Sequence, residues 1–287
     1  MEDKIYSEYC AILAEELQPA MGCTEPIAVA YCAALARKTL GCLPEDVQVY
    51  ASANIIKNVK SVVVPNTGGQ RGLTVAAAAG IVAGDADAKL QVLAGITPEQ
   101  VEEIAAYEKR GIVHVHPSDK DFIFDIQVRV SGGGHTAFAE IAGFHTNVIR
   151  LEQDGEILLD HPCTEEGPKH ATDRILLTVE RIVEFADAVK IEDVQPVLQR
   201  QIDCNTAIAK EGLRGQWGAN IGRILLESYG DSTHNRAKAW AAAGSDARMN
   251  GCGLPVVIVS GSGNQGITAS LPVVEYAKEL GADWETT

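Results

Sequence analysis

Aromatic residues are scarce: Phe, Trp and Tyr make up 5% of the 287 residues, so alanine and valine must carry much of the core. Basic residues are outnumbered, 24 against 39 acidic ones, giving a net charge of −15. A phosphate backbone is gripped by a positive footprint, and an anionic membrane surface by basic clusters; the charge balance argues against both as partners. No apolar run approaches the roughly 18 residues needed to span a bilayer. The N-terminus, Met1-Glu-Asp-Lys-Ile-Tyr-Ser-Glu8, lacks the apolar centre of a signal peptide. Cysteine occurs seven times, at 10, 23, 32, 42, 163, 204 and 252, but never in CxxC spacing. These absences point to a cytoplasmic protein whose cysteines are thiols. Internal repeats and low-complexity stretches are also missing.

What is present predicts an α+β fold. Residues 3–18 show helical periodicity, with Ile5, Tyr9, Ile12, Leu13 and Leu17 on one face. Thr24 is placed to cap a second helix to Leu40, with Pro26 in the first turn, where a missing N–H costs nothing. Residues 47–53 alternate like a strand, and 55–65 form a loop or short helix running into a strand. Helices follow at 73–83 and at 97–109, the latter with a capping box of Thr97 and Gln100. Strand segments at 112–116, 122–131, 136–144 and 147–151 suggest an antiparallel meander of three or four strands, with Gly132-Gly-Gly134 as a hairpin turn. Beyond residue 165 strand signals fade, and helices are expected at 171–188, 191–213, 216–228, 232–249 and 270–280. The layout suggests helical residues 1–42 packed with a helical catalytic region 166–287, and a mixed α/β domain, 43–165, inserted between them.

Two short segments concentrate chemistry. Cys23, in Met21-Gly-Cys-Thr-Glu-Pro26, sits at a helix start beside Glu25, where a thiol is favoured as nucleophile, base or ligand; the alternative is an inert buried cysteine. Cys252 lies in Asn250-Gly-Cys-Gly-Leu-Pro255, between glycines that permit close approach of another group. Downstream, Gly261-Ser-Gly-Asn-Gln-Gly266 matches G-x-G-x-x-G, but without a surrounding strand–helix–strand unit. It fits better as an anion-binding turn at a helix N-terminus, with Ser260, Ser262, Asn264 and Gln265 as candidate contacts; a plain structural turn is the alternative. Asn54, Lys57 and Asn58, and then Asn66, Thr67 and Gly68, place amides, an ammonium and a hydroxyl where they can orient a carboxylate; polar turns explain them equally well. His114 and His116 share one strand face, without a third metal ligand nearby. Cys10, Cys32, Cys42, Cys163 and Cys204 fit structural roles.

In order along the chain, Met21–Pro26, Asn54–Asn58, Val64-Pro-Asn-Thr-Gly68, Glu211-Gly-Leu-Arg-Gly215, Ala247–Cys252 and Gly263-Asn-Gln-Gly-Ile-Thr268 resemble the L-cysteine desulfidase family, which is related to the α chain of iron–sulfur L-serine dehydratases. The resemblance implies a [4Fe–4S] enzyme without pyridoxal phosphate that eliminates sulfide from L-cysteine, leaving pyruvate and ammonia. It implies Cys23 as the base, Cys252 as one cluster ligand, and Asn264, Gln265 and the turn N–H groups as contacts of the substrate carboxylate or cluster. The family's pattern continues into a C-terminal segment carrying two more cluster cysteines, for which this sequence has no counterpart. The expectation is therefore an incomplete form with little or no desulfidase activity of its own. The alternatives are a serine dehydratase of the same mechanism, and a cluster-free amino-acid-binding protein. The expected partner is a small amino acid, and a homodimer is compatible with the alanine-rich helices.

Overall fold

A computed structural model describes residues 2–161, 163 and 172–287. Its contacts divide the chain into two units. One takes the described residues of 1–20, 169–248 and 254–287, and the other those of 21–168 and 249–253. The first unit begins with helix α1 (Asp3–Glu16) and the short strand β1 (Pro19–Met21), whose last residue passes into the second.

The second unit is built around helix α2 (Thr24–Leu40). The N-cap is Cys23 rather than the expected Thr24, because Cys23 is the last extended residue (φ −108°, ψ 122°). Ile27, Ala28, Val29, Ala30, Cys32, Ala33 and Ala36 are all completely buried. A helix apolar on every side must be covered on every side. Strands cover one flank of α2, and α4 (Leu73–Ala83) covers another. Between them, a Cβ on Gly80 would overlap the Ala30 carbonyl, so glycine sets how closely the two helices approach.

The sheet runs β3-β2-β4-β5-β6-β7. Strand β2 (Asp46–Ala51) alternates in burial, with Val47, Val49 and Ala51 inward. The short helix α3 (Ala53–Val59) and, later, α5 (Pro98–Glu108) flank α4 in sequence. The predicted capping box of α5 is present: Gln100 N–H donates to Thr97 Oγ1 at 3.4 Å and Thr97 N–H to Gln100 Oε1 at 3.0 Å. Strands β3 (Val113–Pro117), β4 (Asp125–Gly132), β5 (His135–Ala142), β6 (Val148–Gln153) and β7 (Glu156–Asp160) follow.

The meander takes the last three of the four expected segments and extends further at its end. Strand β3 lies outside it and pairs in parallel with β2, Val49 opposite Val115. Strand β7 extends it beyond the expected last strand, after a two-residue turn at Asp154 (φ 50°) and Gly155 (φ 84°). The Gly132–Gly134 segment makes a hairpin as predicted: Gly132 pairs with His135 across Gly133 (φ 60°) and Gly134 (φ 84°). Positive φ at both turn residues matches the right-handed twist of the strands.

The first unit resumes with α6 (Val179–Ala188), α7 (Ile191–Arg214), α8 (Ile221–Tyr229) and α9 (Thr233–Met249). The helix expected from 171 begins only at Val179, capped by Thr178, whose hydroxyl accepts from Arg181 N–H at 3.3 Å. Before it, Arg174–Leu176 is a single 3₁₀ turn, and residue 171 lies outside the described residues. The helix expected from 216 begins at Ile221, because Asn220 (φ 53°) holds a left-handed turn. A strand that the sequence did not reveal, β8 (Pro255–Val257), pairs with β1. Helix α10 (Gly263–Leu280) starts seven residues before its expected residue 270. Buried Asn205 of α7 joins these pieces, accepting from Val257 N–H at 2.9 Å and donating to Ser270 Oγ at 3.0 Å. Among the described residues no helix is long and apolar enough to cross a membrane.

Candidate functional site

Cys23 is buried at the N-terminus of α2, where unsatisfied N–H groups and the helix dipole favour negative charge. Its thiol donates to Glu25 Oε2 at 3.1 Å. The Thr24 hydroxyl donates to the same oxygen at 3.4 Å, and Asn58 Nδ2 donates to Glu25 Oε1 at 3.4 Å. Three residues chosen from the sequence, Cys23, Glu25 and Asn58, therefore form one connected group. Asn58 reaches it from α3, whose Ile55 and Val59 are buried while Asn54, Lys57 and Asn58 stay exposed. Spacings of three and four residues put those three polar side chains on one helix face.

The next segment is more architectural than its composition suggested. Asn66 adopts a left-handed φ of 59°, and its amide donates to the Leu93 carbonyl at 2.9 Å. Thr67 is wholly buried and donates to the Val64 carbonyl at 2.8 Å. Gly68 (φ 69°) completes the turn. These bonds make Asn66, Thr67 and Gly68 builders of a loop.

That loop meets both cysteine turns. A Cβ on Gly22 would overlap the Pro65 ring, one on Gly251 would overlap Val63, and one on Gly253 would overlap Asn66 Oδ1. Cys252, 2% exposed, lies between the last two of these glycines. The other thiols fit structural roles: burial raises Cys10, Cys32, Cys163 and Cys204 above the ordinary thiol pKa. His116 Nε2 lies 2.7 Å from Gln48 Oε1, and its ring stacks on Tyr50 at 5.0 Å, while His114 is exposed. No group of three or more His, Cys, Asp or Glu side chains among the described residues could hold a metal ion.

A second candidate lies in the first unit. Val259 and Ser262 close a tight turn by reciprocal backbone bonds of 3.1 and 3.0 Å, with Ser260 at φ 48° and Gly261 at φ 72°. Ser260 N–H donates to Glu16 Oε2 at 2.9 Å. Ser262 caps α10, accepting from Gln265 N–H at 3.3 Å, and Gln265 is exposed. Arg248, only 3% exposed, donates from Nη1 to Asn264 Oδ1 at 2.9 Å. A Cβ on Gly263 would overlap the Arg248 guanidinium, and one on Gly266 the Val257 carbonyl. The G-x-G-x-x-G spacing thus serves a turn, a guanidinium and a strand–helix contact. The sequence reading missed Arg248, although its burial beside the helix start brings positive charge to a place already suited to anions.

A model of the serine dehydratase alpha chain matches residues 87–287. The UPF0597 protein of Desulfitobacterium hafniense (strain Y51) is 51% identical over 279 residues, covering 97% of this chain and 65% of that protein. Counterparts from Lachnoclostridium phytofermentans and Fusobacterium nucleatum are 46% and 43% identical, over 98% and 97% of this chain and 67% and 66% of theirs. The chain thus spans about two thirds of the length of these relatives. No solved structure matches it.

Proposed function

The chain belongs to the serine dehydratase alpha-chain family, and on that premise we propose that it is part of an amino-acid β-eliminating lyase acting on L-cysteine, with Cys23 as the base. The observation that carries this reading is the Cys23–Glu25–Asn58 group. Before reaction the thiol and carboxylate hold one proton between them. Sγ takes the substrate's α-proton as the thiol proton moves to Glu25 Oε2. The electrons of the broken Cα–H bond form Cα=Cβ, and the Cβ–S bond breaks with release of hydrosulfide, which takes the proton from Glu25, restores the thiol–carboxylate pair and leaves as hydrogen sulfide. The aminoacrylate tautomerises to an imine, which water converts to pyruvate and ammonia. Asn58 holds the carboxylate facing the thiol, and Asn54 and Lys57 on the same helix face offer an amide and an ammonium to the substrate carboxylate.

Among the described residues, the donor set of a four-iron cluster is not assembled. The resemblance assigns Cys252 to that role, but among the described residues no three cysteines, histidines or carboxylates converge on one point.

The test measures sulfide and pyruvate from L-cysteine, with L-serine in parallel, by this chain and by one of its longer relatives after anaerobic iron–sulfur reconstitution. Sulfide release that falls on the order of 10²–10⁴-fold in Cys23→Ala, the range for loss of a general base, supports the proposal. Turnover of serine alone would replace L-cysteine as substrate. Amino-acid binding without turnover by either protein would overturn the lyase reading.

A further inference from the structure

Gly22 precedes Cys23, and Gly251 and Gly253 bracket Cys252. All three pack against one four-residue stretch, Val63-Val-Pro-Asn66. That stretch is tied down on several sides. Val64 N–H donates to the Gln70 carbonyl at 2.9 Å, and Val63 bridges to Arg71. Thr67 and Asn66 bond to Val64 and Leu93 as described, and Gln70 Nε2 donates to the Thr67 carbonyl at 2.8 Å. Val64 and Thr67 are completely buried.

We infer that Val63–Asn66 is a template that sets the positions of both cysteine turns, with Pro65 the positioning residue for Cys23 and Asn66 the positioning residue for Cys252. As a statement about catalysis it rests on the reading of Cys23 as base; as a statement about placement it stands on the glycine contacts. Gly253 is the informative position. Its backbone is not left-handed, unlike that of Gly22 (φ 56°) and Gly251 (φ 90°), so it is the Asn66 side chain that requires a glycine there. A methyl group at 253 must push the Cys252 turn off its support or displace Asn66, which the Leu93 carbonyl holds.

The experiment follows iodoacetamide alkylation of Cys23 and Cys252 separately, by peptide mass spectrometry on the 287-residue chain, with thermal melting alongside. Gly253→Ala is expected to raise the Cys252 rate on the order of tenfold, since a buried thiol reacts through local opening. Asn66→Gly tolerates the left-handed backbone and removes Oδ1; in that background Gly253→Ala should add less than about twofold, the non-additivity expected of touching groups. An unchanged Cys252 rate in Gly253→Ala, or effects that simply multiply, would overturn the inference. If Gly253→Ala fails to fold, Asn66→Asp keeps the shape but sets an oxygen against the Leu93 carbonyl. Both cysteines should then react faster together, and acceleration of Cys252 alone would argue against a shared template. Alkylation is read without turnover, so an inactive chain leaves the template standing, and a failed template leaves the lyase proposal to its own assay.

Discussion

Cys23 and Cys32 belong to the same helix region, yet their surroundings differ. Cys32 is completely buried, faces the Ile126 and Ala139 carbonyls at 3.6 and 3.4 Å, and has its pKa raised well above the ordinary thiol value by burial. It keeps its proton and acts as a small hydrophobe. Cys23 instead meets a carboxylate at a helix N-terminus. Under the proposed mechanism, Glu25→Gln keeps the shape but removes the group that would receive the thiol proton. Elimination by the active protein should fall on the order of 10²-fold or more in kcat, with a smaller change in KM. Asn58→Ala removes one long hydrogen bond to the carboxylate and should cost roughly 1 kcal/mol, or about fivefold in kcat. A kcat loss in Asn58→Ala equal to that in Glu25→Gln would show that Asn58 does more than orient. At the buried arginine, Arg248→Lys retains charge but loses the planar fork that reaches Asn264, and should weaken binding of a small carboxylate such as acetate at α10, read by titration.

Among the elements, those whose signals are local agree with the sequence. The Thr97–Gln100 box starts α5 where expected because both partners lie within one turn. Thr97→Ala should lower stability by about 1 kcal/mol in urea unfolding. The hairpin at Gly133 and Gly134 was equally readable, since only glycine-like residues accept that turn. The Asp154-Gly155 pair carried the same signal for β7, and a strand with Ile157 and Leu158 half exposed shows little burial pattern to reinforce it. Contacts between distant elements were not readable. Gly80 looks like any glycine in an alanine-rich helix, which usually costs about 1 kcal/mol relative to alanine. Its place against the Ala30 carbonyl reverses that preference: Gly80→Ala should destabilise by roughly 3 kcal/mol, as overpacking does. A melting temperature unchanged or raised in Gly80→Ala would show that α2 and α4 can separate without loss.

At the scale of the whole molecule, a chain with a net charge of −15 still buries carboxylates. Glu140 is 1% exposed, paired with Lys120, and shares its surroundings with the buried Asp125, which accepts from Ser118 and from Gln127 at 2.8 Å. Burial raises the Glu140 pKa above its ordinary 4.5, more than the Lys120 ammonium lowers it. The folded chain then holds a proton that the unfolded chain has already lost. This contribution is complete below the unfolded value and declines as pH rises from there through the raised native value. Urea midpoints measured upward from about pH 4 should fall less steeply in Glu140→Gln than in the parent. Equal slopes would mean that Glu140 ionises alike in both states.

The sequence by itself determined the α+β class, the principal helices and the hairpin at Gly133 and Gly134, and it offered Cys23, Glu25 and Asn58 as candidates. Each depends on periodicity, turn chemistry or residue type within a short window. The tertiary structure alone decided that β3 pairs in parallel with β2. It decided that α2 packs on the sheet, so that the division of the chain falls after residue 20 and not after residue 42. It also decided that Glu25 meets Asn58 across 33 positions, and that Asn66 supports Gly253. These partners are far apart in the chain. Which of many polar or small residues meet is set by the packing of α2, α3 and the loops around them, and no local pattern records that choice.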